Sequence, residues 1–355
     1  MNIVFTGNYS SEYNRTAIII EGLKHIPGIS IIEYPIQKNN TCDTAKLKTV
    51  LNSADVVFLP SFTHNSVQFI RKHTNKPICF DPLISKYLTK VFDYKLVWKY
   101  SPRALKNFYK DKRAFSACDF MIADTVAHKS YYARTFKISH ERIFVLPVGV
   151  NTNDFAPCTT HKHSNNTFTI GFYGGFIPLQ GVSNIIDAAH ILRQNANVRF
   201  ELVGNGFEFE AMKKKAATLG LHNITFMGWQ PYTDLPAIIN SWDICLGIFG
   251  NTQKADLVIP NKIYHYAAMQ KPIISKHSEA IQELFTHNES ILLCSTQPHD
   301  IASSITELIE NHEKRNTLGI HALQVAQQYN HIQTATQFIR ILEQGLQYLQ
   351  ATKHE

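Results

Sequence analysis

Short apolar runs alternate with helix-patterned segments along almost the whole chain, and this alternation restricts the fold more than any other feature. In the first part the runs NIVFTG, ISIIEYP, DVVFLP, PICFDP, FMIAD and RIFVLPVG are interleaved with helical patterns near 14–24, 44–52, 65–73 and 127–135. This is the rhythm of a parallel sheet with helices on both faces. Residues 151–167, NTNDFAPCTTHKHSNNT, have no periodicity and many small polar residues, which predicts a domain boundary there. A second series follows, with FTIGFYGG, VRFELVGNG, ITFMGW, DICLGIFG, KPIIS and ILLCS separated by helical patterns near 182–193, 207–219, 233–240, 262–269 and 279–285. The tail from 298 to 352 is helical, with Ile332, Ala335, Phe338, Ile339, Leu342, Leu346 and Leu349 making a near-continuous stripe. The sequence therefore predicts an α/β protein of two similar domains, 1–155 and 156–330, with a C-terminal helix, 331–355, packing back towards the first. A length of 355 residues is long for one core and comfortable for two.

Composition narrows the class further. The six cysteines show no close pairing, and Cys79 and Cys245 lie inside apolar strand-like runs, so they read as reduced thiols. The chain begins directly with a strand and a glycine turn, without a basic segment and a long apolar stretch after it, which predicts a cytoplasmic protein that is not exported. No run of about 18 apolar residues offers a membrane span. The net charge of +7 is local, because residues 86–113 hold nine Lys and Arg against two Asp. There Lys99, Arg103, Lys106, Lys110 and Arg113 share one helical stripe, while Trp98, Leu105, Phe108, Tyr109 and Phe115 populate another side. The predicted basic amphipathic helix over 95–115 suits anionic lipid head groups or a phosphate-bearing acceptor, or is a solvated face over an ordinary core stripe. Nucleic acid is not expected, since no recognised binding motif accompanies it. His161 and His163 have a metal-ligand spacing but lack further ligands, so no metal site is expected.

The segment 244–274, ICLGIFGNTQKADLVIPNKIYHYAAMQKPII, carries the clearest chemistry. A buried strand over 244–249 runs into a polar loop with two lysines and then a helix starting at Lys262, with Asn261 as its cap. Gly247 and Gly250 let backbone approach, and Lys254 and Lys262 beside a helix N-terminus make a cradle suited to a diphosphate. Gly174 and Gly175 follow the preceding strand in the same way. Gly204, Gly206 and Gly228 end successive strands, where an open α/β sheet places its ligand. Trp229 lies near a nucleobase or packs on its own domain. Glu279 opens a helix, where it binds ligand hydroxyls or favours the helix N-terminus. In the first domain Asn8 sits in the turn after the opening strand, and Asn14 and Arg15 begin the next helix. Arg15 holds an anionic group or is a solvated first-turn residue. Asp81 and Asp124 end later strands, and either orients a substrate hydroxyl or caps its own loop.

Taken together, PVGVNTNDFAP, GFYGGFIPLQGVSNIIDAA, FELVGNG, ITFMGW and VIPNKIYHYAAMQKPII resemble the family 4 glycosyltransferases over the full chain, most strongly from about 145 to 295. The resemblance implies the GT-B architecture, two Rossmann-like domains facing a cleft. It also implies a retaining, hexosyltransferase-like enzyme without an obligatory metal or cofactor. A nucleotide-diphosphate sugar would bind the C-terminal domain and a glycan or lipid-linked acceptor the N-terminal one, in surface-polysaccharide or glycoconjugate assembly. Asp81 stands roughly where relatives keep a polar residue near the reacting sugar, and Lys254 and Lys262 would neutralise the leaving diphosphate. Two departures bear on this. Phe176 and Gln180 stand where relatives often carry Arg and Lys, and Leu257 and His265 stand where they commonly carry two glutamates. His265 retains hydrogen-bonding capacity towards a ribose hydroxyl. Two other outcomes stay open: a catalytically silent nucleotide-sugar-binding protein, and a GT-B-shaped nucleotide-sugar epimerase, which would need general acid and base groups. A peripheral contact with the inner face of an anionic membrane through 95–115 is expected alongside.

Overall fold

Parallel strands buried on both faces must be nearly continuous in apolar residues, and the runs Val56–Leu59, Ile78–Phe80 and Phe120–Ala123 meet that demand, with every residue buried. In a computed structural model of the chain, which describes residues 1–158 and 167–352, they form the middle of a sheet. The chain divides into two units, Met1–Gly149 with His331–Glu355, and Val150–Asn330. The sequence places this division at 155. It falls earlier because Val150 donates its N–H to the Tyr329 carbonyl at 3.0 Å and the Phe155 ring stacks on His265, both inside the second unit.

The first unit begins with β1 (Asn2–Gly7), α1 (Asn14–Leu23), β2 (Ser30–Pro35), α2 (Thr44–Asn52) and β3 (Val56–Leu59). It continues with α3 (His64–Arg71), β4 (Ile78–Phe80), α4 (Pro102–Ala117), β5 (Phe120–Ala123), α5 (Val126–Phe136) and β6 (Ile143–Val145). Among the described residues its sheet has the order β2-β1-β3-β4-β5-β6, all parallel. Pairing of β1 with both β2 and β3 puts the switch in strand order between β1 and β3, where an open α/β sheet leaves a crevice for ligands.

The second unit contains β7 (Phe168–Tyr173), α6 (Val182–Ile191), β8 (Val198–Val203), α7 (Phe209–Thr218), β9 (Ile224–Gly228), α8 (Leu235–Asn240) and β10 (Ile244–Leu246). It continues with α9 (Asn261–Ala268), β11 (Ile273–Lys276), α10 (Glu279–Gln282), β12 (Leu292–Cys294), α11 (Pro298–Glu310) and α12 (His312–Gln328). Its parallel sheet has the order β12-β11-β10-β7-β8-β9, so the switch lies between β10 and β7. The predicted strand over 244–249 is shorter than expected. Its ladder stops at Leu246, although Gly247 still donates to the Ile274 carbonyl at 2.8 Å.

The last helix, α13 (His331–Ala351), belongs to the first unit, where Ala335, Phe338 and Leu342 join Phe5, Phe58 and Ile122 in one core. It crosses α1 at Gly22, whose absent side chain is required there. A Cβ would lie 2.0 Å from the His331 carbonyl oxygen.

The basic segment differs from its predicted form. α4 begins only at Pro102, with the Ser101 hydroxyl accepting from Ala104 N at 3.2 Å, so Trp98 and Lys99 lie in the loop before it. Its inward face is Ala104, Asn107, Asp111, Ala114 and Phe115. Asp111 is drawn in by the Ser85 hydroxyl at 2.7 Å and the Tyr87 N–H at 2.8 Å, and this rotates Leu105 and Tyr109 outward, among the basic residues. Among the described residues, no helix is long and apolar enough to cross a membrane.

Candidate functional site

In the second unit the loops leaving β7, β8, β9 and β10 interlock through their backbones. Gly174 donates to Val203 O at 2.9 Å, Gly204 to Gly228 O at 2.7 Å, and Phe176 to Asn205 O at 2.9 Å. Gly204 is held at φ +132°, and a Cβ on it would stand 1.9 Å from the Gly174 oxygen, so this glycine is required by loop-on-loop packing. Gly206 is similarly closed by the Phe176 backbone, whereas a Cβ on Gly175 would meet Asn205 O and the Ile177 side chain at an ordinary 3.9 Å and Gly228 has open space beside it. Of the five predicted glycines, then, two pack loops together, Gly175 is in ordinary contact with its neighbours, and Gly228 faces room that a ligand can use. Gly174 borders a lysine.

That lysine is Lys262, in the first turn of α9. Its side chain is 3% exposed, and its Nζ donates to Gln180 Oε1 at 2.6 Å and to Gly247 O at 3.4 Å. The Phe172 ring lies 3.6 Å below the ammonium, and a Cβ on Gly174 would approach it to 2.8 Å. Among the described residues no carboxylate lies within ion-pair distance of it, and burial alone holds its pKa well below the ordinary lysine value. A buried cation served by neutral dipoles and a ring face gains most from an arriving anion. It sits between the ends of β7 and β10, at the switch in strand order.

Asn261 is not the helix cap. Pro260, extended at φ −65° and ψ 148°, takes that position, and Asn261 is already the first helical residue, with no capping bond from a side chain. Lys254 is buried in the turn Gln253–Asp256, which the Thr252 hydroxyl caps. This turn packs against Pro178–Gln180, so the Lys254 turn and the partner of Lys262 are neighbours, and exposed Glu279 opens α10 against the same turn. Lys276, not singled out in the sequence, lies beneath and is satisfied by Asp256 at 2.7 Å and Gly250 O at 3.2 Å. A lysine ending an apolar strand was the available signal.

Two positions that the resemblance singles out turn inward. Phe176 is fully buried among Phe172, Phe209 and Phe226 rather than facing a phosphate. His265 is 2% exposed, sandwiched between Phe155, at 3.9 Å and 19°, and Tyr173, whose hydroxyl lies 2.5 Å from Nδ1. Its Nε2 is buried without a hydrogen-bond partner, and the Phe155 ring covers one face of the imidazole. Burial lowers its pKa to about 3. The unfolded chain, with the ordinary value of 6.5, therefore takes up a proton first as pH falls, and the stability of the neutral buried ring is complete above 6.5 and lost towards 3. Between pH 7 and pH 5 this residue should cost the second unit about 2 kcal/mol. Thermal unfolding across that range should show the loss, and it should be flatter in His265→Phe.

Trp229 is 70% exposed after β9, and Phe207 is similarly exposed after β8. Phe207 was not anticipated, although an aromatic residue after Gly206 resembles the Gly228-Trp229 pair.

In the first unit, Arg15 and Asp81 are each 1% exposed and form an ion pair through Nε and Oδ2, while Arg15 Nη2 donates to Leu146 O at 3.0 Å. Neither the solvated Arg15 nor an open Asp81 carboxylate is found. Asp81 also accepts from Leu83 N at 3.1 Å, fixing a residue with φ +55°. Burial raises the Asp81 pKa against the opposing effect of Arg15. Asp124 is buried with Oδ1 2.7 Å from His128 Nδ1, and His128 Nε2 has no partner. Arg15, Asp81 and Asp124 surround Tyr13, whose pKa burial and the two carboxylates push up to about 12. Asn14 presents a buried amide with neither atom hydrogen-bonded, and exposed Asn8 is tied to the Ile36 carbonyl at 3.1 Å.

Among the described residues, no group of three or more His, Cys, Asp or Glu is placed to hold a metal, and His161 and His163 lie outside the described residues.

Residues 167–311 match the family described as Glycosyl transferases group 1. The chain is 23% identical over 167 residues to an uncharacterized glycosyltransferase of Methanocaldococcus jannaschii, an alignment covering 45% of this chain and 43% of that relative. Thus less than half the relative's length is spanned. Among solved structures it is similar to Anabaena HepE in complex with UDP and glucose, with TM-score 0.74, 16% identity, and coverage of 97% of this chain and 99% of that one. It is also similar to the sucrose-phosphate synthase of Thermosynechococcus elongatus, with TM-score 0.76, 14% identity, and coverage of 97% and 98%. These likenesses show the fold, an α/β GT-B architecture of two doubly wound units with C-terminal helices.

Proposed function

We propose that the protein is a retaining glycosyltransferase that moves a hexose from a nucleotide-diphosphate sugar to a glycan or lipid-linked acceptor, in surface-polysaccharide or glycoconjugate assembly. The observation that carries this reading is the buried Lys262 ammonium, held without a carboxylate at the strand-order switch of the segment matched to Glycosyl transferases group 1. Binding of UDP and UDP-glucose by Anabaena HepE supports a nucleotide sugar as the donor.

In this reading the diphosphate lies against Lys262, Gly174 and the N-terminal turn of α9 with Asn261, and Lys254 and Gln180 border it. Gly228 leaves room for the nucleoside beside Trp229 and Gly175, and Glu279 serves the sugar hydroxyls. As the anomeric C–O bond breaks, its electron pair moves onto the diphosphate. Preorganised positive charge at that point lowers the barrier without a bound metal. The acceptor hydroxyl forms the new bond at the anomeric carbon and passes its proton to the departing diphosphate, with configuration retained. Asn14, Asn8 and the Asp124–His128 pair are assigned to the acceptor, because the Asn14 amide and His128 Nε2 are buried polar groups still lacking partners. The Arg15–Asp81 pair holds the loops that present them. The protein acts in the cytoplasm.

A catalytically silent donor-binding protein is a second reading, supported by Phe176 in the core and Leu257 where resembling enzymes carry charge. Slow release of free sugar from a panel of nucleotide sugars separates the two. A transferase shows donor hydrolysis that Lys262→Ala abolishes, and a silent binder shows affinity with no release.

A further inference from the structure

The segment from Lys95 to Ser116 presents a surface that the donor chemistry does not use. Trp98 and Tyr100 are 71% and 70% exposed, and Leu96 and Leu105 are more than half exposed beside them in the chain. These rings are ordered against one another. Trp98 and Tyr100 meet edge to face at 5.3 Å, the Lys99 ammonium lies 5.4 Å from the Tyr100 centroid, and Ser101 N donates to Trp98 O at 3.0 Å on the way into α4. On the outer side of α4, Arg103, Lys106, Lys110 and Arg113 are all exposed. The one acidic residue of the segment, Asp111, is fully buried, so its solvent face carries positive charge without an exposed carboxylate of its own. Beside it, between α3 and α4, a recess of about 340 Å³ is lined by Gln68, Tyr109, Lys112, Arg113 and Ser116.

We propose that this surface docks the protein on an anionic bilayer, with Trp98, Tyr100, Leu96 and Leu105 entering the head-group boundary and the basic residues of α4 pairing with lipid phosphates. Charge complementarity selects an anionic partner, and amphipathic rings with exposed aliphatic side chains select an interface that is apolar on one side. A nucleic acid would use the charge and the rings but leaves Leu96 and Leu105 in water. The recess, with Lys112 and Arg113 at its wall, is of a size to receive one head group.

The test is co-sedimentation of the full chain with phosphatidylcholine vesicles, with or without about one-third phosphatidylglycerol, at low and high salt. The proposal expects binding to the anionic vesicles alone, weakened by salt. Neutralising Lys106 and Lys110 together as Gln should lower the affinity about thirtyfold. Trp98→Ala with Tyr100→Ala should weaken binding further at every salt concentration. All four positions are exposed, and the thermal transition of each variant reports its fold. No sedimentation with anionic vesicles at low salt, equal binding to neutral ones, unchanged binding in both variants, or tighter binding to a single-stranded RNA oligomer would each overturn the proposal.

Discussion

Replacing Lys262 with Ala is expected to lower kcat for sugar transfer by about 10²- to 10³-fold while leaving the second unit as stable as before or more so. The two halves of this outcome share one cause. An ammonium that is 3% exposed, with an amide oxygen, a carbonyl and the Phe172 ring for company, carries a desolvation cost that no carboxylate offsets. Removing it relieves that cost in the empty protein. The same removal takes away the charge that would meet electrons arriving on the diphosphate. A residue serving only the fold would give the reverse pattern, with stability lost and turnover per folded molecule kept. Steady-state kinetics beside thermal unfolding of Lys262→Ala and Lys262→Met separates the two, and Met preserves most of the side chain's packing over Phe172.

Asp81→Ala should have the largest effect on stability, lowering that of the first unit by about 3–5 kcal/mol. The substitution leaves a buried guanidinium without its carboxylate and releases the Leu83 N–H from the turn at φ +55°. Replacing both partners with apolar residues, Arg15→Met with Asp81→Leu, should recover much of the loss, because the cost lies in the orphaned charge rather than in the missing pair. Chemical unfolding of the single and double variants checks this. A single variant that stays stable and loses kcat alone would instead return Asp81 to the reaction.

The doubly wound rhythm was legible because it is local. Buried parallel strands need continuous apolar runs, and those runs are visible one at a time. The phase of α4 was not, since it depends on Asp111 turning inward to Ser85 and Tyr87, and an aspartate ordinarily marks the solvent side. Arg15 and Asp81 stand 66 residues apart, and no periodicity links them before the sheet brings their loops together. The inward packing of His265 and Phe176 was hidden for a related reason. Both occupy positions that a resemblance assigns to ligand contact, yet their surroundings come from Phe155 in one case and from Phe209 and Phe226 in the other. The Lys262 cradle was readable because strand, loop and helix follow in immediate succession. What sequence did not convey is its partner, Gln180, which arrives from another loop.

Thermal unfolding of wild type and Lys262→Ala with UDP, GDP, ADP and CMP, each without metal, tests the central claim most directly. At about a hundredfold excess over Kd, one nucleoside diphosphate should stabilise the wild-type second unit by about 2.7 kcal/mol, raising its transition by roughly 5–10 °C, and should leave the variant unmoved. No shift with any nucleotide, or an equal shift in Lys262→Ala, would contradict the assignment of this buried lysine to a nucleotide-sugar diphosphate.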